Sequence, residues 1–260
     1  MPNAEDLGFY LEILQLVLLS LLAVRLALTG LWRSYPFFFW YVVLYIPDGI
    51  WPLFISIRSW TFLHVWLFTE PVFYIFHVLL VAELCRLILA GHPGIYSLGK
   101  WAMSVGVTLA LAISILTLIP HIKPHSPLNS QMVSTYNAVQ RGLDFGLGIF
   151  LLLLLAFLSR YPFRLNRNVL IHSGLYTFFF FTQSLGVFLH ALFGLARTDI
   201  LNTFMTATTC ACLVAWLALL SPKGEFVKSV FPTLNPERET RILEQLDALN
   251  ATLVRAGRRK

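Results

Sequence analysis

Charge is scarce in this chain. Among 260 residues there are 19 Lys and Arg and 13 Asp and Glu, so 12% of the sequence is charged while 57% is apolar. With a mean hydropathy of +0.72, that balance excludes an ordinary soluble domain and predicts a polytopic membrane protein. Cysteine is scarce too. Cys85, Cys210 and Cys212 all fall inside predicted helices, which argues against a disulfide framework and leaves them as small apolar side chains. The first residues, MPNAEDLGF, lack a basic leader and a small-residue cleavage site, so the first apolar stretch is expected to be a spanning helix and not a removed signal peptide. The excess of basic residues, a formal +6, lies at helix ends and in the tail. There it serves as a topology signal and a headgroup contact, and no nucleic-acid partner is expected.

What is abundant is apolar sequence in long runs, with 22 Phe and 7 Trp to face acyl chains and interfaces. Seven stretches, near 8–31, 37–58, 61–90, 98–120, 134–159, 168–193 and 199–220, can each cross about 30 Å of hydrocarbon. The expected fold is therefore all-α and integral to the membrane: a seven-transmembrane-helix bundle over residues 1–222. A cytoplasmic tail, 223–260, follows it. Asn235, Pro236 and Gly257 suit the start and end of a tail helix over about 236–256, and Ile242, Leu246, Leu249 and Leu253 give that helix one apolar seam. The seam could pair two subunits, bind a partner protein, lie on the bilayer or fold back. Alternate loops hold Arg33, Arg86, Lys100, Arg160, Arg164 and Arg167 against Arg58, Lys123 and Arg197. This bias predicts an amino terminus outside and a carboxyl terminus in the cytoplasm of an inner (cytoplasmic) membrane.

Ionisable groups inside such spans cost several kcal/mol unless they meet partners or water, so each is a functional hypothesis. On the second helix Tyr41, Tyr45 and Asp48 lie within roughly 60° of one another, with Asp48 expected at mid-span. The third carries Glu70 and His77 on one face with Tyr74 between them; Glu83 and Arg86, one turn apart, read as a structural pair. The fifth aligns Asn137, Arg141, Asp144 and Gly148, where Arg141 and Asp144 can pair with each other. The sixth aligns His172, Tyr176, Gln183 and His190 within about 40°. Most of these groups fall at mid-membrane or in its outer half. Asp48, Glu70, His77, Arg141, Asp144, Gln183, His190, Tyr45 and Tyr74 are accordingly the expected ligand-binding residues, around a polar interior suited to a cationic or hydrogen-bond-donating small molecule.

Several chemistries fail on the residues. A retinal Schiff base needs a lysine in the last helix, and 198–221 has none. A two-histidine haem site needs imidazoles at one depth; His64 and His190 are both near the outer end, which permits a haem without pointing to one. Intramembrane metal hydrolases group several His and Asp, but the one multi-histidine segment, His121 to His125, lies in a predicted loop. No nucleophile elbow, phosphate loop or dinucleotide motif is present, so no catalytic residue, metal ligand or cofactor is assigned. The expected role is a receptor-like sensor or binding module. A proton-coupled or small-solute transporter using Asp48, Glu70 and His77 is the alternative; an enzyme on a lipid or isoprenoid substrate and a structural subunit whose polar stripes glue partner helices are the third and fourth.

Overall fold

The computed structural model describes residues 4–51, 54, 60–89, 93–116, 128–160, 166–193, 198–225 and six positions of the tail. Every regular element among them is helical. Seven α-helices are described: α1 (Ala4–Thr29), α2 (Pro36–Ile50), α3 (Trp60–Leu89), α4 (Pro93–Leu116), α5 (Leu128–Arg160), α6 (Arg167–Phe193) and α7 (Thr198–Leu219). Short 3-10 turns, Leu31–Arg33 and Pro222–Glu225, follow α1 and α7.

Local sequence sets the boundaries. Gly30 adopts the left-handed conformation (φ 73°) that closes α1, a geometry an L side chain resists. Pro36 opens α2 at the first helical position, where its missing N–H is no loss. Two further N–H groups of that first turn, Phe37 and Phe38, donate to the Glu83 carboxylate at 3.3 and 3.4 Å. Glu83 therefore caps α2 from α3, with the exposed Arg86 one turn away still within electrostatic reach, so an interhelical cap is added to the expected Glu83–Arg86 pair.

Successive helices pack side by side and α7 returns to α1, which closes a ring of seven; α3 also touches α5 and α6 and so stands innermost. Odd-numbered helices run one way and even-numbered helices the other. The groups near the start of α1, Asp48 and Glu70 thus share one end of the bundle, and Glu83, His172 and Ser221 lie toward the other. Gly146 lets α5 approach α4: a Cβ there would stand 2.8 Å from the Ala110 methyl carbon.

The interior is a single apolar core threaded by polar groups. Leu22, Leu26, Phe38, Val42, Leu80, Leu147, Leu151 and Phe180 are all buried. The outer surface is apolar as well, with Leu28, Phe68, Trp101, Leu153, Phe178 and Ile200 exposed. Large apolar side chains outside and polar ones inside suit a surface that meets acyl chains. Five helices are long and apolar enough to cross a membrane, over Leu7–Thr29, His64–Leu89, Ile95–Ala112, Thr135–Leu158 and Ile200–Leu219. The apolar α2 has only 15 residues, and α6 has 27 but carries the line of polar side chains. By length and composition, these apolar helices fit a membrane protein.

α2 departs from expectation. It ends at Ile50, well short of 58, which puts Asp48 in its last turn and half-exposed, away from mid-span. Pro47 and Pro52 bracket this end, and a chain leaving a helix there needs no continuation of the ladder. Of the expected tail helix, Glu244, Gln245, Asp247, Ala248, Ala251 and Thr252 are described; they are helical and exposed, and the Thr252 hydroxyl donates to the Ala248 carbonyl at 2.8 Å. The apolar seam itself, together with His121 and His125, lies outside the described residues.

Candidate functional site

The site grows from one face of α3. Glu70, Tyr74 and His77 are spaced four and three residues apart, so they stack along the helix facing inward. Pro71 has no N–H to give the Leu67 carbonyl four residues back, and the Tyr136 hydroxyl of α5 donates to that oxygen at 3.1 Å. A proline beside a carboxylate thus becomes an α3–α5 link. Nothing in the local pattern around Tyr136 marks it for this role, since the signal is a proline sixty-five positions away.

At the centre, His77 Nδ1 and Asp144 Oδ1 are 3.0 Å apart, which joins α3 to α5 a second time. Both are buried, at 6% and 0% exposure. The rings of Phe180 (5.2 Å), Tyr41 (5.6 Å) and Phe179 (5.9 Å) wall the imidazole. The hydrogen bond between Nδ1 and Oδ1 gives each buried group a partner in the interior. The second Asp144 oxygen accepts from no protein group. The expected Arg141–Asp144 pair is not formed. Arg141, one turn away, is half-buried, and its backbone carbonyl accepts from the Ser184 hydroxyl at 3.2 Å. Residues three apart on a helix point about 60° apart, and Asp144 turns inward to α3.

Toward the α1-start end the polar file widens. Glu70 has Asp48, His77, Trp66 and Tyr74 within electrostatic reach. Asp48 accepts from the Trp51 indole at 3.2 Å and faces Thr69. Tyr45 packs on Phe73 at 5.0 Å, stands 5.6 Å from Tyr41 and faces Gln15 of α1. The Tyr74 hydroxyl is buried and faces the Glu70 carboxylate. Among the described residues, neither Asp48 nor Glu70 is paired with a lysine or arginine.

Two expected residues stand apart from this group. Gln183 Nε2 donates to the Thr209 hydroxyl at 3.1 Å, and His190 Nε2 meets Asn202 Oδ1 at 2.9 Å. Both tie α6 to α7, so the stripe that looks continuous on a helical wheel is divided between two neighbours. The structure therefore brings together Asp48, Glu70, Tyr45, Tyr74, His77 and Asp144, and leaves Gln183 and His190 as interhelical links.

The opposite end is more polar than the sequence suggests. His172, Ser173, Tyr176 and Asn168 of α6 are all buried there beside Trp216 of α7. The end of α7 is clamped: Arg25 donates to the Leu220 carbonyl at 2.7 Å and Asn168 Nδ2 to the Ser221 carbonyl at 2.8 Å. A cation and an amide donor meet the carbonyls where the helix dipole is negative, and the tail departs from that fixed point. Among the described residues no three His, Cys, Asp or Glu side chains converge as metal ligands would. Comparison with protein-family models, with curated proteins and with solved structures finds no match to this chain.

Proposed function

We propose that the chain is a seven-span protein of a cytoplasmic membrane, amino terminus outside, that works as a receptor-like sensor. A small cationic or hydrogen-bond-donating molecule enters at the α1-start end and is held by Asp48, Glu70, Tyr45 and Tyr74. The observation that carries this reading is the pair of carboxylates from α2 and α3, within reach of each other and, among the described residues, paired with no lysine or arginine. Two like charges in a partly buried site favour a cation over an anion. Directly below, the His77–Asp144 pair couples whatever displaces α3 to α5. The clamp of Arg25 and Asn168 on the end of α7 supplies a rigid point from which the tail reports.

The test is thermal melting of the full-length protein in detergent against primary amines and quaternary ammonium compounds, with matched carboxylic acids as controls. A specific cation stabilises the folded state by about 2.7 kcal/mol at a hundred times its Kd. That stabilisation should vanish in Glu70→Gln and in Asp48→Asn and persist when 233–260 are deleted. Equal stabilisation by the acids, or an undiminished response in both carboxylate variants, refutes the assignment.

A further inference from the structure

The bundle holds a second polar centre that the sensor reading does not use. It lies beyond Phe180, among His172, Tyr176 and Trp216. Both nitrogens of His172, the hydroxyls of Ser173 and Tyr176, and the indole nitrogen of Trp216 are buried and bonded to no protein group. His172 is 0% exposed, with Tyr35 at 4.5 Å, Phe38 at 4.7 Å, a stacked Tyr176 at 5.9 Å and Trp216 at 6.2 Å. Buried polar groups are almost always satisfied, and each one left unmade costs about 1–3 kcal/mol. As placed, none of these groups bonds another. Trp216 only donates, Tyr176 and Ser173 donate one proton each, and a neutral His172 accepts through one nitrogen while donating through the other. Water, which donates and accepts, is a partner that could close such a set.

Tyr41 stands 5.6 Å from His77, and Tyr41 and Glu83 both lie within electrostatic reach of Tyr176. The file from Glu70 through Tyr74, His77–Asp144, Tyr41 and Tyr176 to His172 therefore consists of groups that can each take up and release a proton. A relay through Asp48, Glu70 and His77 alone would serve only one half of the bundle.

We propose that this file is a proton pathway along the bundle, entered at Asp48 and Glu70 and continued by water between Tyr176 and His172. The inference rests on the seven-span reading. Each step breaks one O–H or N–H bond and forms another, and nothing is oxidised or reduced. His77 receives a proton on one ring nitrogen and releases one from the other, while Asp144 holds the compensating charge. Phe180 is the barrier, with its ring 5.2 Å from His77 and 5.8 Å from Tyr176.

The test uses the full-length protein in phosphatidylcholine–phosphatidylglycerol vesicles with a trapped pH-sensitive dye, the membrane potential being set by potassium and valinomycin. Wild type should carry protons faster than protein-free vesicles. Tyr176→Phe, which keeps the ring and removes one oxygen, and His172→Phe should each reduce the flux about tenfold or more. Phe180→Ala should raise it. Monodisperse elution and an unchanged melting temperature for Tyr176→Phe separate lost conduction from lost fold. Flux no greater than in empty vesicles for both wild type and Phe180→Ala overturns the proposal, as does full flux in both Tyr176→Phe and His172→Phe. Cation-dependent stabilisation in detergent is read independently, so its persistence without flux sinks only the pathway.

Discussion

Removing one member of the His77–Asp144 pair is the most informative perturbation of the bundle. Asp144 is fully buried, with His77 3.0 Å from one oxygen and no protein partner at the other. In Asp144→Leu the imidazole keeps its burial and loses its partner; in His77→Leu the carboxylate is left alone. Breaking one side of a buried pair costs about 3–5 kcal/mol, because the survivor stays desolvated with nothing to offset it. An ordinary polar contact between membrane helices is worth only about 0.6 kcal/mol. The gap between these figures makes the measurement decisive. For a bundle of this size each kcal/mol moves Tm by roughly 2–4 °C, so each single variant should melt roughly 6–20 °C below wild type. The double variant, with both positions Leu, buries no polar group there and should recover most of the loss. Melting in detergent can be followed by the fluorescence of the seven tryptophans. Single variants that each cost under about 1 kcal/mol and add in the double variant would refute the reasoning, because coupling between partners of one pair must be non-additive.

Three further outcomes follow from named contacts. Tyr136→Phe should cost about 1 kcal/mol by orphaning the Leu67 carbonyl, and Pro71→Ala should abolish that cost by returning a helix N–H to the same oxygen; a double-mutant cycle on Tm reads the coupling. Glu83→Ala should destabilise by about 0.5–2 kcal/mol through loss of the α2 cap, with Glu83→Gln retaining part of it as an acceptor, measured by the same melts. Gly146→Val should cost about 1–3 kcal/mol because its side chain meets Ala110 across the α4–α5 contact, whereas the same change at Gly174, where a Cβ would meet nothing, should cost less than half as much.

Much of the architecture is legible in the residues. The apolar run lengths mark all seven helices, and the four-and-three spacing of Glu70, Tyr74 and His77 places them on one inward face, because both facts are local to a single stretch of chain. Even so, the end of α2 was hidden: the apolar run continues to Ile57, so periodicity cannot tell that Asp48 belongs to a last turn. Partner choice was hidden as well. Asp144 has Arg141 within reach on its own helix and takes His77, sixty-seven positions away, because the rotation of α5 against α3 is set by packing around Gly146, Leu147 and Leu151.

The sequence by itself determined a helical protein with apolar surfaces, the direction in which each polar stripe points within its own helix, and the acidic character of one end. These depend on composition and on the 3.6-residue period alone. Only the tertiary structure decided which stripes meet. It gave Glu83 to the start of α2, divided the α6 line between α7 and a buried aromatic centre, and set His77 against Asp144. Such pairings depend on the relative rotation and depth of separate helices, which no period within one helix encodes.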